Sequence, residues 1–408
     1  MPPRRALTAG ITVVLLQLHY VPASRAQYLP SSPIVVAGGR VVVGGDVAGA
    51  IGGQDEEGWF NYTDYEHNAL RTLRLGVTGE WRAAPRLSLL GEVRVENMEH
   101  VEVFAAYVRV RPFATLPLDV QAGRIPPTFG SFARRAYSSE NWLIGYPLAY
   151  QYLVSIRPDA IPASTADLLR MRARGWRSSF PVGSNEETPG VSVVSGFEWD
   201  TGVQVRGGTD RAQLAVSITN GSLSSPRVRD DNGGKQIAAR GQLRPLFGLV
   251  VGISGARGAW LDREVERLTV SGQSRATQRA YGVDAEYSRG HWIVRGEAIR
   301  SAWQMPGVLA ADDARDLLAT AALIEARYRV LPRLYVAARA DHLTFSKVEV
   351  APGEGWTPWE APISRLEIGG GWYLQRNLIA RASVQHNWRD GGRQREQTFL
   401  AGQVLFWF

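Results

Sequence analysis

Apolar and polar residues alternate with a period of two along most of the chain from residue 40 onward. In the segment 69–83, Leu73, Leu75 and Val77 share one face, while Arg74 and Glu80 share the other. This period is typical of β-strands whose two faces meet different environments. Sixteen such runs can be delimited: 40–51, 69–83, 86–97, 101–111, 118–126, 197–206, 211–219, 235–244, 248–258, 278–288, 291–301, 315–330, 333–345, 363–374, 377–388 and 397–408.

The lengths of these runs and of their connections favour a membrane barrel. Most runs have about nine to thirteen residues, which matches a tilted strand that crosses a bilayer and exceeds the roughly five or six residues of soluble strands. Tight connections follow even-numbered runs, and long ones follow odd-numbered runs apart from the short 98–100 and the intermediate 389–396. We therefore predict an all-β fold, a transmembrane antiparallel β-barrel of about 16 strands over residues 40–408, with 18 strands as the alternative count.

The first residues have the order of a secretory signal. Arg4 and Arg5 precede an apolar run, Ile11–Leu16, and small residues follow it. This order predicts a signal peptide over 1–26, cleaved after Ala23 or Ala26, and a short N-terminal lead over 27–39. The apolar run is too short to cross roughly 30 Å of hydrocarbon as a helix, which disfavours an uncleaved anchor.

The end of the chain carries a second localisation signal. Leu400, Val404, Phe406 and the terminal Phe408 lie on one face of the last run. The run resembles the C-terminal strand of Gram-negative outer-membrane β-barrels, whose terminal aromatic residue is read by the barrel insertion machinery. The resemblance implies the outer membrane as the location and that machinery and membrane lipid as partners. An ordinary edge strand that ends at Phe is the alternative.

Composition removes several function classes. The chain has no Cys, which excludes disulfide scaffolds and cysteine chemistry. Its 46 basic residues are 44 Arg and two Lys, interleaved with 39 acidic residues, so no dense basic stripe indicates a nucleic-acid partner. The His residues are scattered, and no Gly-x-Ser-x-Gly segment occurs, so we predict no metal site, no cofactor and no catalytic site.

The charged residues fall mostly on the face that we assign to the barrel interior. Because a barrel of this strand number holds water, its inward arginines would meet solutes. The alternative for any one of them is a structural role in a cross-strand ion pair. The arginines that we predict to line the lumen are Arg74, Arg94, Arg109, Arg111, Arg240, Arg244, Arg327, Arg329 and Arg339.

The longest connection, 127–196, is the third on the long-loop side and is too long for a simple rim loop. It carries large apolar residues such as Leu143, Ile144 and Leu148 among its arginines. An external loop has little reason to carry them, so we predict that it folds into the lumen as a constriction loop. An external cap is the alternative. The predicted constriction residues are Arg134, Arg135, Arg170, Arg172 and Arg174.

The exit of the fifth run resembles a known family. Its residues Gly123, Arg124, Pro126, Pro127, Phe129 and Gly130 are similar to the glycine, basic and Pro-Phe-Gly passage that leads into the constriction loop of the phosphate-selective porin O and P family. Here Thr128 separates Pro127 from Phe129. The resemblance implies a homotrimeric, sixteen-stranded porin that passes anions passively. The family's lysine clusters are missing, since the chain has only Lys235 and Lys347.

We therefore predict a passive outer-membrane porin, not an enzyme, for small hydrophilic solutes, leaning toward small anions such as phosphate or another oxyanion. Two alternatives remain at this point. One is an outer-membrane barrel enzyme of the lipase or protease type. The other is an exported soluble all-β binding protein, because alternation alone does not say which face is buried.

Overall fold

Sixteen antiparallel strands form the wall, and the bounds predicted from the sequence are confirmed to within a few residues. The computed structural model describes residues 32–55, 60–61, 70–132, 139–196, 198–232, 234–269, 276–308 and 315–408. The signal peptide predicted over 1–26 lies outside them. The strands are β1 Val41–Gly52, β2 Leu73–Ala84, β3 Leu87–Glu96, β4 His100–Val110, β5 Leu118–Ile125, β6 Asp200–Gly208, β7 Ala212–Thr219, β8 Gln236–Leu246, β9 Leu249–Ala259, β10 Thr277–Arg289, β11 Trp292–Met305, β12 Arg315–Leu331, β13 Leu334–Phe345, β14 Ile363–Gln375, β15 Leu378–Arg389 and β16 Glu396–Trp407.

The sheet closes on itself. Each strand pairs with the next, and β16 pairs with β1, with Gly49 opposite Val404. The backbone of Phe408 exchanges hydrogen bonds with Gly45 at 2.9 and 3.1 Å, so the last residue takes part in the seam. Closure leaves no open edge, which is the condition for a sheet to face lipid. The closed sheet therefore excludes a two-layered sandwich, the form in which a soluble all-β protein would bury the apolar face of its strands.

The two faces of the wall differ as the alternation predicts. In β13, successive residues from Tyr335 to His342 are alternately buried and exposed. The exposed face is apolar, as Ile368, Leu400 and Val404 show with more than half of their surface free. Trp81 and Trp292 are also half exposed near the short-turn rim, where aromatic girdles lie. Trp199, which the alternation places outward, is instead buried against Phe104.

Short helices complete the described chain: Leu148–Gln151, Thr165–Arg170 and Arg263–Glu266, with a 3-10 turn at Ala37–Gly39. Within the described ranges no helix has the length and apolar character to span a membrane. Three small ladders lie outside the wall or extend it: Ile34–Val36 on β1, Ala160–Ile161 with Val182–Gly183, and Lys347–Glu349 with Trp356–Pro358. The fold is thus a barrel whose interior is occupied by the segment between β5 and β6.

Candidate functional site: the barrel interior

The segment 139–196, which we call the plug, lies inside the barrel, as predicted for the third long loop. Wall residues from several strands hold its backbone: Glu367 Oε1 accepts from Gly145 N at 3.0 Å, Tyr335 Oη donates to Trp142 O at 2.9 Å, and Gln278 Nε2 donates to Val193 O at 3.0 Å. These contacts come from β14, β13 and β10, so the plug is tied across a wide arc of the wall. The external-cap alternative is therefore wrong.

Gly145 marks the closest approach of the plug to the wall. A Cβ at this position would lie 2.4 Å from Gln385 Nε2 and 2.7 Å from Glu367 Oε2. Only glycine lets the backbone come near enough for its N–H to reach the Glu367 carboxylate. The close packing of plug and wall at this point therefore requires glycine at position 145.

The loop-entrance segment turns the chain inward after β5. Gly123 has a φ of +128°, and a Cβ there would lie 2.3 Å from Ala106 O. Arg124 bonds Glu102 at 2.6 Å, the Thr128 hydroxyl accepts from Gln204, and Gly130 N donates to Ser254 Oγ at 3.1 Å. Phe129, after Pro126 and Pro127, is fully buried. The motif residues therefore serve to bring the chain from the rim into the interior.

The outer half of the interior is filled by a hydrophobic core that plug and wall build together. Phe132, Tyr150 and Phe180 of the loop pack in one cluster with Trp303 of β11 and with Trp359 of the loop before β14. Trp303 and Trp359 meet edge-on at 6.1 Å between ring centroids. The large apolar residues that predicted infolding thus pack in a core of globular type, which makes the plug part of the folded structure.

A buried charge cluster at β12–β14 anchors the plug from the wall. Arg339 is 1% exposed and lies 2.7 Å from Glu367 Oε2, 3.0 Å from Asp341 Oδ2 and 2.8 Å from Gly145 O. A third carboxylate, Glu325, lies 3.9 Å away. Because buried charges need partners, removing one member of this cluster would leave the others uncompensated. Arg339 therefore holds protein in place instead of lining water.

Three other arginines predicted to line the lumen also face inward, with Arg94 and Arg240 buried and Arg74 largely covered. Arg74 bonds Glu96 and the plug residue Tyr146. Arg94 pairs with Glu92 at 2.5 Å and lies 3.3 Å above the ring of Phe104, an extra residue that bulges β4. Arg240 pairs with Asp284 through two hydrogen bonds of 2.5 and 2.8 Å. Arg74 and Arg240 thus form the cross-strand ion pairs that were the alternative to lining the lumen, whereas Arg94 pairs with a carboxylate on its own strand.

The inner half keeps an open space beside the short-turn rim. A cavity of about 630 Å³ lies between the β4–β5 turn and strands β6 to β8. Its charged lining is Arg111, Arg206 and Arg240 against Asp119 and Asp210. Arg111 lies 3.6 Å from Asp119, whereas Arg206 has no carboxylate within 4.0 Å among the residues that the structure describes. We call this space the vestibule.

Four further lumen arginines lie around this half. Arg109 pairs with Glu80 at 2.5 Å, and Arg244 donates to Asp210 O at 2.8 Å. Arg327 lies over the rings of Trp142 and Tyr335, at 5.1 and 5.7 Å from their centroids. Arg329 is exposed near the end of β12. These four arginines and the vestibule lie in the same half of the interior, the half that water can enter.

Three of the five predicted constriction residues belong to the described part of the chain. Arg134 and Arg135 lie outside the described residues. Arg170 and Arg174 are exposed, and Arg172 donates to Asp390 O at 2.9 Å in the loop between β15 and β16. That loop lies on the long-loop rim, so the three arginines of 170–174 lie on the outer side of the plug.

Sequence reasoning missed the residues that organise the plug itself. Arg157 is fully buried and binds Asp159 as well as Ser178 O at 2.7 Å. Glu360, in the loop before β14, accepts from Ser155 N at 2.8 Å and Ala173 N at 2.5 Å. Burial raises the pKa of this carboxyl. Both residues lie in connections without a periodic pattern, so no sequence signal marked them.

Asp55 provides a test of pH dependence in the first long loop. Its Oδ2 accepts from Phe60 N at 2.9 Å and Asn61 N at 2.7 Å, and burial raises its pKa from 3.8 to about 6. A raised carboxyl pKa stabilises the fold fully below pH 3.8, and this contribution is lost as the pH rises through about 6. The unmodified protein should therefore lose about 3 kcal/mol of unfolding free energy through Asp55 as the pH rises through this range, and the variant Asp55→Asn should lack this loss.

The measurement is the free energy of denaturant unfolding in detergent at pH 4 and pH 7 for both proteins. Since all other carboxyls are common to them, the difference between the two pH slopes belongs to Asp55. Equal slopes would show that this carboxyl is solvated in the folded protein.

Comparisons with known proteins agree with this architecture. No family model matches the chain, and no curated protein is detectably similar to it in sequence. Among solved structures, it is similar to an anion-selective porin from Comamonas acidovorans (TM-score 0.56, 10% identity, 90% of this chain and 99% of that one). It is also similar to the outer membrane channel DcaP of Acinetobacter baumannii (0.53, 10%, 92% and 100%) and to a trimer form of OmpT, an outer membrane protein of Vibrio cholerae (0.52, 10%, 90% and 99%). At such identities the likeness concerns the fold, a porin-type barrel.

Proposed function

We propose that this protein is a passive channel of the Gram-negative outer membrane for small hydrophilic solutes, with a preference for anions. The porin-type fold and its apolar exterior support the channel and its location. The matched proteins are described as porins and channels, which favours transport over the barrel-enzyme alternative. The terminal Phe408 is the feature that the insertion machinery would recognise.

The vestibule is the observation that supports the anion preference. Of the three arginines that line it, Arg111 lies beside Asp119 and Arg240 is paired with Asp284, whereas Arg206 is not neutralised by a carboxylate within the described chain. A charged constriction with low-dielectric walls raises the local concentration of counter-ions. Anions would therefore be enriched at the inner mouth, where guanidinium groups suit phosphate and other oxyanions, as the resemblance to the porin O and P family implies.

The outer half of the path would run along the wall of β2 to β4. We assign to Arg134 and Arg135 the role of narrowing it. In this proposal the buried core of the plug keeps the rest of the cross-section closed to solutes. We also propose a homotrimer, the form reported for one of the structurally similar proteins.

We expect Arg206→Glu to reduce the chloride-over-potassium permeability ratio by up to about 50-fold, because a change of two unit charges about 7 Å away shifts the free energies of chloride and of potassium in water by about 1.2 kcal/mol each, with opposite signs. The measurement is the reversal potential of the channel in a planar bilayer under a KCl gradient. Arg289→Glu makes the same charge change on β10 at an exposed, outward-phased position and should leave the ratio unchanged.

Absence of conductance in the unmodified protein would overturn the channel. A cation-selective reversal potential would overturn only the anion preference. Equal shifts in the two variants would mean that net charge, and not the vestibule, sets the ratio.

A further inference from the structure

Four basic residues lie together on the outside of the wall, near the long-loop rim. Lys235 directly precedes β8, Arg257 lies on β9, Arg279 on β10 and Arg300 on β11. Arg257 and Arg279 are directly opposite each other in the register, and Arg279 is opposite Ala302, two residues from Arg300. Residues at such positions on one face are neighbours. We call this group the outer basic patch.

The patch carries an excess of positive charge. Lys235 pairs with Asp230 and Arg279 with Asp316, both at 2.6 Å. Arg257 and Arg300 are exposed and have no carboxylate within 4.0 Å in the described parts of the chain. Since Asp316 compensates the charge of Arg279, Arg257 and Arg300 are the two positions of the patch at which an anion from outside the protein would be bound.

An apolar surface continues from the patch toward the middle of the wall. Ile237, Ile253, Tyr281 and Val283 lie on the same outward face of β8 to β10, and each has more than half of its surface exposed. A ligand for the whole surface must therefore be anionic at one end and apolar along its length. An inorganic anion would satisfy only the arginines.

We propose that the outer basic patch binds a phosphorylated lipid of the external leaflet, with its phosphate between Arg257 and Arg300 and its acyl chains along Ile253 and Tyr281. Guanidinium groups bind phosphate oxygens in a bidentate geometry. The patch lies at the depth of the headgroups because it is next to the ends of the strands. This site concerns the outside of the barrel and is independent of the conductance proposed for its inside.

The test is a binding titration with diphosphoryl lipid A in nanodiscs, followed by native mass spectrometry of the purified protein. Each basic residue near a membrane surface contributes about fivefold to binding of anionic lipid, so the double variant Arg257→Gln with Arg300→Gln should bind roughly 30-fold more weakly. Arg289→Gln, on the outward phase of β10 at the opposite rim, is the matched control and should bind normally. Lipid A stripped of its phosphates should bind all three proteins with equally low affinity.

Three outcomes would overturn the proposal: equal binding by the double variant and the unmodified protein, displacement of the lipid by millimolar inorganic phosphate, or loss of the oligomer in the double variant. The second would indicate a site for free anions, and the third an interface between copies of the chain. Single-channel conductance of the double variant should be unchanged, which separates this test from that of the channel.

Discussion

Replacing residues 139–196 by a short Gly-Ser linker is expected to raise the single-channel conductance about tenfold, because an unfilled sixteen-stranded barrel leaves an aqueous channel. The plug contributes Tyr150 and Phe180 to the core that fills the outer half, and its removal would return that volume to water. Arg339 and Glu367, now buried against Gly145, would become hydrated while remaining paired with each other. Planar-bilayer recording in symmetric KCl measures the change.

The control for this deletion is a shortened tip of the hairpin between Lys347–Glu349 and Trp356–Pro358, where residues 350–355 lie outside the core. This variant loses external chain but keeps the plug, so its conductance should not change. Heat-modifiable migration on a gel would establish that both variants are folded barrels. A folded plug-deleted barrel with the original conductance would show that the plug does not obstruct the path.

Glu367→Ala is expected to lower the free energy of unfolding by about 3 kcal/mol, since it leaves a buried guanidinium without one of its partners. Glu367 is fully buried and joins two anchors, Gly145 N at 3.0 Å and Arg339 Nη2 at 2.7 Å. Both the wall cluster and the plug backbone would be left with unmet hydrogen bonds. Chemical unfolding in detergent, followed by tryptophan fluorescence, measures the loss.

Glu286→Ala provides the comparison on the same wall. Glu286 pairs with Arg295 at 2.6 Å, but its side chain is 32% exposed, so solvent can replace the partner. Such a pair contributes at most about 1 kcal/mol. Similar losses in the two variants would mean that the Glu367 cluster is not an anchor of the plug.

The wall strands could be predicted because alternation is a local property. A strand that separates two environments must change its residue type at every position, so the runs 363–374 and 377–388 matched β14 and β15 closely. The alternation also placed Arg74, Arg94, Arg240 and Arg339 on the inner face. The alternation did not predict whether these inward arginines would be exposed to water or covered by the plug.

Periodicity also did not predict the contacts of Phe104, Arg157 and Glu360. A single extra residue, Phe104, shifts the phase of β4 and brings a ring beneath Arg94, which the bulge and not the composition determines. Arg157 and Glu360 lie in connections where no period exists. Their importance arises only when the plug backbone comes within hydrogen-bond distance of them.

The sixteen strands and the order of short and long connections could be predicted from the spacing of apolar and polar residues, and the infolding of the longest connection from the large apolar residues that it carries. The tertiary structure alone decided which inward arginines are buried anchors and which face the vestibule. The reason is that the exposure of a side chain depends on what packs against it, and the plug contacts wall residues as far as 237 positions away in the chain, as Tyr152 does with Arg389.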